Sequence, residues 1–209
     1  MAFKTFAYWG VRIAFLPLYP LRVTGLQNIP SGAALVCSNH TSMKDPVLLI
    51  LAMKCKNFPV SMAKMELFQS RPLSWLLKKL DTFPIHRGKS DVGAIKFALS
   101  SLKNGRKLLM FPEGTRVRDG DDGGAKTGAG MLALRSGAQV LPVFVAKYKK
   151  LFRPVDIVFG EPFFAECGHK PTSEDYQIIS DDIMRKVALL EPKLQLQKSK
   201  KSKLERPKP

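Results

Sequence analysis

Ala33-Ala-Leu-Val-Cys-Ser38 runs straight into Asn39-His-Thr-Ser-Met-Lys-Asp45-Pro46, and Val47 to Met53 follows with no polar residue. This reads as a buried strand, a polar loop and a helix start, with Asp45 as N-cap and Pro46 at the first helical position. The pattern repeats along the chain. Pro59 to Ala63 reads as a strand and Ser74 to Leu80 as a short helix, while Pro84 confines the strand Thr82 to His86 to a sheet edge. Ser90 or Asp91 caps an amphipathic helix that presents Ile95, Leu99 and Leu102 on one face and stops at Asn104-Gly105. Lys107 to Phe111 is a strand, Thr127 to Ser136 a helix, and Val140 to Ala146 and Val155 to Phe159 are strands. Thr172 or Ser173 opens a last helix with Tyr176, Ile179, Ile183, Val187 and Leu190 at core-facing spacing. Such alternation predicts an α/β fold, a single domain over residues 23–192 with a central mixed, largely parallel sheet flanked by helices.

His40 and Asp45 are the first chemical signal. A carboxylate that fixes an imidazole's tautomer and stabilises its protonated form turns the ring into a general base. On a regular helix, residues five apart point about 140° away from each other, so the pair meets only if the connection is irregular. The Asp-Pro helix start supplies that irregularity. Phe111-Pro-Glu-Gly-Thr-Arg116 is the second signal. Pro112 ends its strand, which leaves Glu113, Gly114, Thr115 and Arg116 in a loop at the carboxyl end, where open α/β sheets hold their ligands. A Gly-containing turn ending in Arg offers N–H groups and a bidentate cation to an anion.

The 209 residues, 45% hydrophobic, suffice for one well-filled core. A formal net charge of +17 points to an anionic partner: nucleic acid, an anionic membrane surface or a phosphorylated substrate. Cys37, Cys55 and Cys167 are odd in number and lack metal-ligand spacing, so three buried or inert thiols in a reducing compartment are expected, with no zinc site. The Gly-rich acidic run from Arg118 to Gly124 reads as a solvated connector rather than a metal loop.

Residues 1–22 form a separate amino-terminal unit in this reading. Phe3 to Leu21 is apolar and aromatic, and on a helix Lys4, Tyr8 and Arg12 make a narrow polar strip. That is the profile of a membrane-interfacial helix whose cations snorkel to headgroups; a helix packed on its own domain is the alternative. Pro17 and Pro20 break the run too early for a confident span of about 20 residues, and no small-residue cleavage site follows, so no removed signal peptide is expected. The lysine-rich tail, residues 193–209, is expected to be disordered and to act as an electrostatic anchor worth about 1 kcal/mol per basic residue at best.

These residues together resemble the glycerolipid acyltransferases, particularly the lysophosphatidate (1-acylglycerol-3-phosphate) acyltransferases. The family's Asn-His-x4-Asp block stands as Asn39, His40 and Asp45, and its Phe-Pro-Glu-Gly-Thr-Arg block is complete at Phe111 to Arg116. Phe83-Pro-Ile-His-Arg87 resembles the second block, with Lys64-Met-Glu66 upstream; Val140-Leu-Pro142-Val-Phe-Val145 resembles the fourth, preceded by Lys126-Thr-Gly128. Asp81 stands where the second block often starts with Gly, and Pro84 where an apolar strand residue is usual.

The resemblance implies that His40 takes the proton from the free hydroxyl of lysophosphatidate as it attacks the thioester of acyl-CoA or acyl carrier protein, with Asp45 orienting the ring. No acyl-enzyme, cofactor or metal is expected. Arg116, Arg87 and Lys126 become candidates for the acceptor's phosphate; Glu113 either accepts hydrogen bonds from the acceptor or ties down Arg116. Backbone N–H groups near Gly114 or in the His40 turn are candidate oxyanion donors. The expected setting is monotopic, on the cytoplasmic face of a membrane. Two alternatives remain: a same-fold acyltransferase with glycerol-3-phosphate or a lyso-aminolipid as acceptor, and a basic nucleic-acid-binding protein. The second is disfavoured because the basic residues lack interleaved aromatics, and no nucleic-acid partner is expected.

Overall fold

The structure, a computed structural model, describes residues 2–86, 91–117 and 124–191. Among the described residues seven strands form one sheet: β1 (Leu21–Thr24), β2 (Ala34–Ser38), β3 (Val60–Lys64), β4 (Thr82–Ile85), β5 (Lys107–Met110), β6 (Gln139–Val145) and β7 (Val155–Phe159). Their order is β1-β7-β6-β2-β5-β3-β4, and every pairing is parallel except β6 with β7. The helices are α1 (Ala2–Phe15), α2 (Asp45–Met53), α3 (Arg71–Lys79), α4 (Val92–Lys103), α5 (Gly128–Ser136) and α6 (Ser173–Ala188).

Alternation along β2 builds the two faces. Ala34 and Val36 pack with Leu48, Leu49 and Met53 of α2, whereas Leu35 and Cys37 face α4, α5 and α6. Gly130 lets α5 and α6 touch: a Cβ there would lie 2.1 Å from the Tyr176 carbonyl oxygen, and its N–H instead donates to Ser180 Oγ at 2.8 Å. A capping box at Thr172 and Asp175 starts α6. Pro84 sits in β4, an edge strand, where its missing N–H is tolerated.

Several expectations change. The stripe of α4 that meets the sheet is Ala94, Ala98 and Leu102, with Ile95 and Leu99 only partly covered; the two alanines bring the helix close. Asp91, not Ser90, is the described cap, its Oδ1 accepting the Ala94 N–H at 2.9 Å. Strand β1 begins at Leu21, inside the segment drawn as amino-terminal, because Leu21 to Thr24 pairs in register with Val155 to Val158. Helix α1 ends at Phe15, two residues before Pro17. Of the thiols only Cys37 is buried, and burial pushes it well above the ordinary range; Cys55 and Cys167 are half-buried.

The polar strip of α1 faces inward rather than toward headgroups. Lys4 pairs with Asp81, Tyr8 donates to the Leu51 carbonyl at 3.2 Å, and Arg12 donates to the Tyr8 hydroxyl at 3.3 Å. Asp81 also explains its departure from glycine. Its φ of 52° is left-handed, which Asp tolerates better than most residues, and its carboxylate holds both Lys4 and Arg106.

Candidate active site

Adjacent parallel strands β2 and β5 end at the same sheet edge, with Cys37 opposite Met110. Three residues further on, the His40 N–H donates to Glu113 Oε2 at 2.7 Å, and the Val117 N–H donates back to the His40 carbonyl at 2.9 Å. The two motif loops are therefore bonded together. On the other side of β2, the Asn39 amide donates to Val145 O and accepts from Val145 N, each at 2.9 Å, so a side chain extends the sheet by one rung.

His40 Nδ1 lies 3.1 Å from Asp45 Oδ2, in a fully buried pair. That leaves Nε2 without a partner among the described residues. The Phe111 ring stacks on the imidazole, centroids 4.1 Å apart and 21° between planes, which fixes the ring plane. Asp45 does not cap α2 as expected. Lys44 occupies that position; the Asp45 carboxylate turns back into the loop and accepts the Thr41 and Ser42 N–H groups at 2.8 and 2.7 Å. Burial raises its pKa, but hydrogen bonds from His40 and Ser42 and the Lys149 ammonium outweigh this and hold it below the usual carboxylate value.

Glu113, a candidate substrate ligand, is buried and spends Oε2 on the His40 backbone. Burial pushes its pKa to about 7, with the nearby Asp45 charge adding to the rise and the His40 N–H opposing it. Gly114 adopts φ +70°, and its N–H closes a turn onto Phe111 O at 3.0 Å. That left-handed φ is what favours glycine; a Cβ there would also sit tightly, 3.2 Å from Lys126 Cγ. Lys126 thus packs over the turn, and its own N–H bonds Pro112 O at 2.7 Å. Thr115 and Arg116 are exposed on the same loop, one residue before the His40–Val117 bond. Arg87 lies outside the described residues, as do Arg118 to Gly123 and the tail from 193.

The backbone donors named from sequence are already engaged: Gly114 by Phe111, His40 by Glu113, Thr41 and Ser42 by Asp45. A cleft of about 420 Å³ opens next to the His40 loop, bordered by Asn39, Thr41 and Glu113 and walled by Phe144, Met184 and Val187, with Lys147 and Glu191 paired at 3.7 Å on its rim. Elsewhere, Cys167, His169 and Asp175 bring ligand atoms within 4.8 Å of one another, although His169 is exposed and Asp175 is spent on the α6 capping box.

Glu113 makes a pH prediction possible. A native pKa of about 7 against an ordinary 4.5 means that the folded state binds the extra proton between those values. Stability from this group therefore falls as pH rises from about 4.5 to 7, by something on the order of 1–3 kcal/mol. Glu113→Gln keeps an oxygen for the His40 N–H and should flatten melting temperature against pH in that window; an unchanged slope contradicts the assignment. Asp45 acts in the opposite sense and below the window, its contribution being lost only as pH falls through its depressed pKa.

A buried His–Asp pair bonded to a glycine–arginine loop thus lies at the carboxyl ends of parallel strands, where open α/β sheets hold their ligands. The acyltransferase family profile matches residues 20–146, and the chain belongs to that family. It is 33% identical to a chloroplastic 1-acyl-sn-glycerol-3-phosphate acyltransferase of Arabidopsis thaliana over 63% of this chain and 37% of that protein. It is 29% identical to the 1-acyl-sn-glycerol-3-phosphate acyltransferase of Bacillus subtilis over 83% of this chain and 89% of that one. The crystal structure of the 1-acyl-sn-glycerophosphate acyltransferase PlsC from Thermotoga maritima superposes with a TM-score of 0.63 and 27% identity, covering 90% of this chain and 81% of that one. The chain spans between a third and just over half of the length of the first curated relatives it matches.

Proposed function

We propose that this protein transfers an acyl chain from acyl-CoA or acyl carrier protein to the free hydroxyl of lysophosphatidate, making phosphatidate by direct attack. The 3.1 Å contact between His40 Nδ1 and Asp45 carries the reading, because it leaves Nε2 as the base. The hydroxyl proton passes to Nε2, the new ester forms as the thioester C–S bond breaks, and the thiolate leaves with that proton. The thioester is already activated, so positioning and one base suffice.

In this reading Arg116 and Lys126, with Arg87, hold the acceptor's phosphate, since both described cations stand on the loop bonded to His40. The Thr115 and Arg116 N–H groups, which no acceptor among the described residues takes, serve the oxyanion. The acyl chain lies along the apolar wall of Phe144, Met184 and Val187. The test is a panel of acceptors offered to purified protein: lysophosphatidate is acylated, while glycerol-3-phosphate and lyso-aminolipids are not. Preference for either of those reassigns the acceptor.

The membrane enters the same proposal. No described helix is long and apolar enough to cross a bilayer. With its polar strip turned inward, α1 exposes Phe6 (78%), Trp9 (52%) and Ile13 (72%), spaced to share one face. Phe3 meets Trp75 edge-on at 5.3 Å, and α3, which has no buried residue, continues the apolar surface through Leu73 and Leu76. A patch of this kind suits the interface of an anionic bilayer, with the basic tail as a second attachment. Phe6→Ser with Ile13→Ser should weaken partitioning into phosphatidylglycerol vesicles by about 10- to 100-fold, because each side chain contributes up to ~1.5–3 kcal/mol on burial. Sedimentation with vesicles checks this; unchanged partitioning removes α1 from the membrane face.

A further inference from the structure

Lys149 was invisible in the sequence, one of three lysines among Lys147, Tyr148, Lys149 and Lys150. Its side chain is only 2% exposed, and its ammonium lies 2.8 Å from Asp45 Oδ1, the oxygen turned away from His40. It also donates to Thr41 Oγ1 at 2.9 Å and to its neighbour's carbonyl, Lys147 O, at 3.3 Å. Two of its N–H groups have hydrogen-bond acceptors, and the charge itself faces Asp45 Oδ1, a buried oxygen that takes no other hydrogen bond. Buried among these groups, the ammonium is turned away from solvent, unlike the exposed Arg116. Its partner is a carboxylate with no exposure at all.

We infer that Lys149 is a positioning residue for the acyl-transfer base: a buried counter-ion that keeps Asp45 ionised and locks its orientation, so that the catalytic pair is in fact a His40–Asp45–Lys149 relay of contacts. The inference rests on the reading of His40 and Asp45 given above. Its physics follows from the two carboxylate oxygens. Oδ2 is filled by His40, Thr41 and Ser42, whereas Oδ1 faces Lys149. Remove the ammonium, and a buried charge is left with one of its two oxygens unpartnered. The carboxyl group then holds its proton to higher pH and orients the imidazole less well. Thr41 adds a geometric link. Its hydroxyl accepts from Lys149 while its N–H donates to Asp45, so one cation ties the β6–β7 connection to the base-bearing loop.

The other charges around Asp45 do not replace Lys149. Glu113, from the β5 loop, raises the need for a cation, Lys147 is turned to Glu191, and Lys44 lies over the Tyr19 ring at 5.3 Å. Helix α2 contributes no titratable side chain besides Asp45.

The test is a cycle of Lys149→Met, Asp45→Asn and the double variant. K149M should lower kcat by about 10²-fold, as misplacement of a catalytic group does, with both KM values within about threefold of wild type. The acid limb of log kcat/KM against pH should move up by about one unit or more. K149M should also melt at least about 5 °C lower, and the double variant should recover at least half of that loss, because the unpaired charge is gone. The melting arm needs no turnover, so it separates this inference from the proposed activity and remains readable if K149M folds poorly. Wild-type kcat and an unmoved acid limb overturn the proposal. So does a rise in acceptor KM at constant kcat, which would make Lys149 a phosphate ligand, or a double variant no more stable than K149M.

Discussion

His40→Ala is expected to lower kcat by about 10²- to 10⁴-fold, the range a positioned general base supplies. The variant should nevertheless fold. Both backbone bonds that fasten the loop, His40 N to Glu113 Oε2 and Val117 N to His40 O, survive loss of the ring. What goes structurally is the Nδ1 contact with Asp45 Oδ2, which keeps its Thr41 and Ser42 donors, and the stack on Phe111, which costs about 0.5–1.5 kcal/mol beyond the buried area. Steady-state rates with lysophosphatidate and a saturating acyl thioester, alongside a thermal melt and recovery on vesicles, distinguish these effects. Retained acylation in a folded variant would leave the pair without its catalytic role.

Arg116→Ala should act on binding. The side chain is exposed, carries no salt bridge among the described residues, and sits one residue from the bond that joins its loop to His40. A charge-assisted contact to phosphate is worth ~1.5–3 kcal/mol, so the acceptor's KM should rise by about 10- to 150-fold while the donor's KM scarcely changes. Equal rises for both substrates indicate an arginine that only shapes the loop. Arg116→Lys should recover part of the loss, since a point charge replaces a fork.

The readability of the fold came from punctuation and periodicity. Proline and glycine marked where elements began or ended: Pro112 after β5, Asn104-Gly105 after α4 and Pro46 at the start of α2. The edge position of β4 followed from Pro84 alone. Strand β1 escaped because four residues behind Pro20 carry too little pattern, and only pairing with β7 makes them a strand. The face of α4 was legible through Leu99 and Leu102, but not the part of Ala94 and Ala98, whose small side chains let the helix approach the sheet.

The site divides in the same way. His40 and Asp45 are close in sequence, so the need for an irregular link between them was legible, and the loop provides it. Asp45 was misplaced as a cap because an Asp-Pro helix start looks alike whether the carboxylate turns into the helix or back into the loop. Glu113 belongs to a motif, but its bond to the His40 backbone depends on β2 and β5 being neighbours, and chain order does not reveal that. Lys149 lay furthest from view: nothing separates it locally from Lys147 or Lys150, and its partner stands far earlier in the chain, brought near only because β2 and β6 are neighbours. In α1 the polar strip was legible but its direction was not, because Asp81, which draws Lys4 inward, lies in a distant turn.

The central claim is direct attack by a lysophosphatidate hydroxyl, with His40 as base. Mixing the purified protein with a labelled acyl thioester and following free thiol and phosphatidate together tests it most directly. Thiol release should require lysophosphatidate and match phosphatidate one for one, with no early burst. Release of thiol before acceptor is added, or acceptor-dependent release that yields no phosphatidate, would contradict the account.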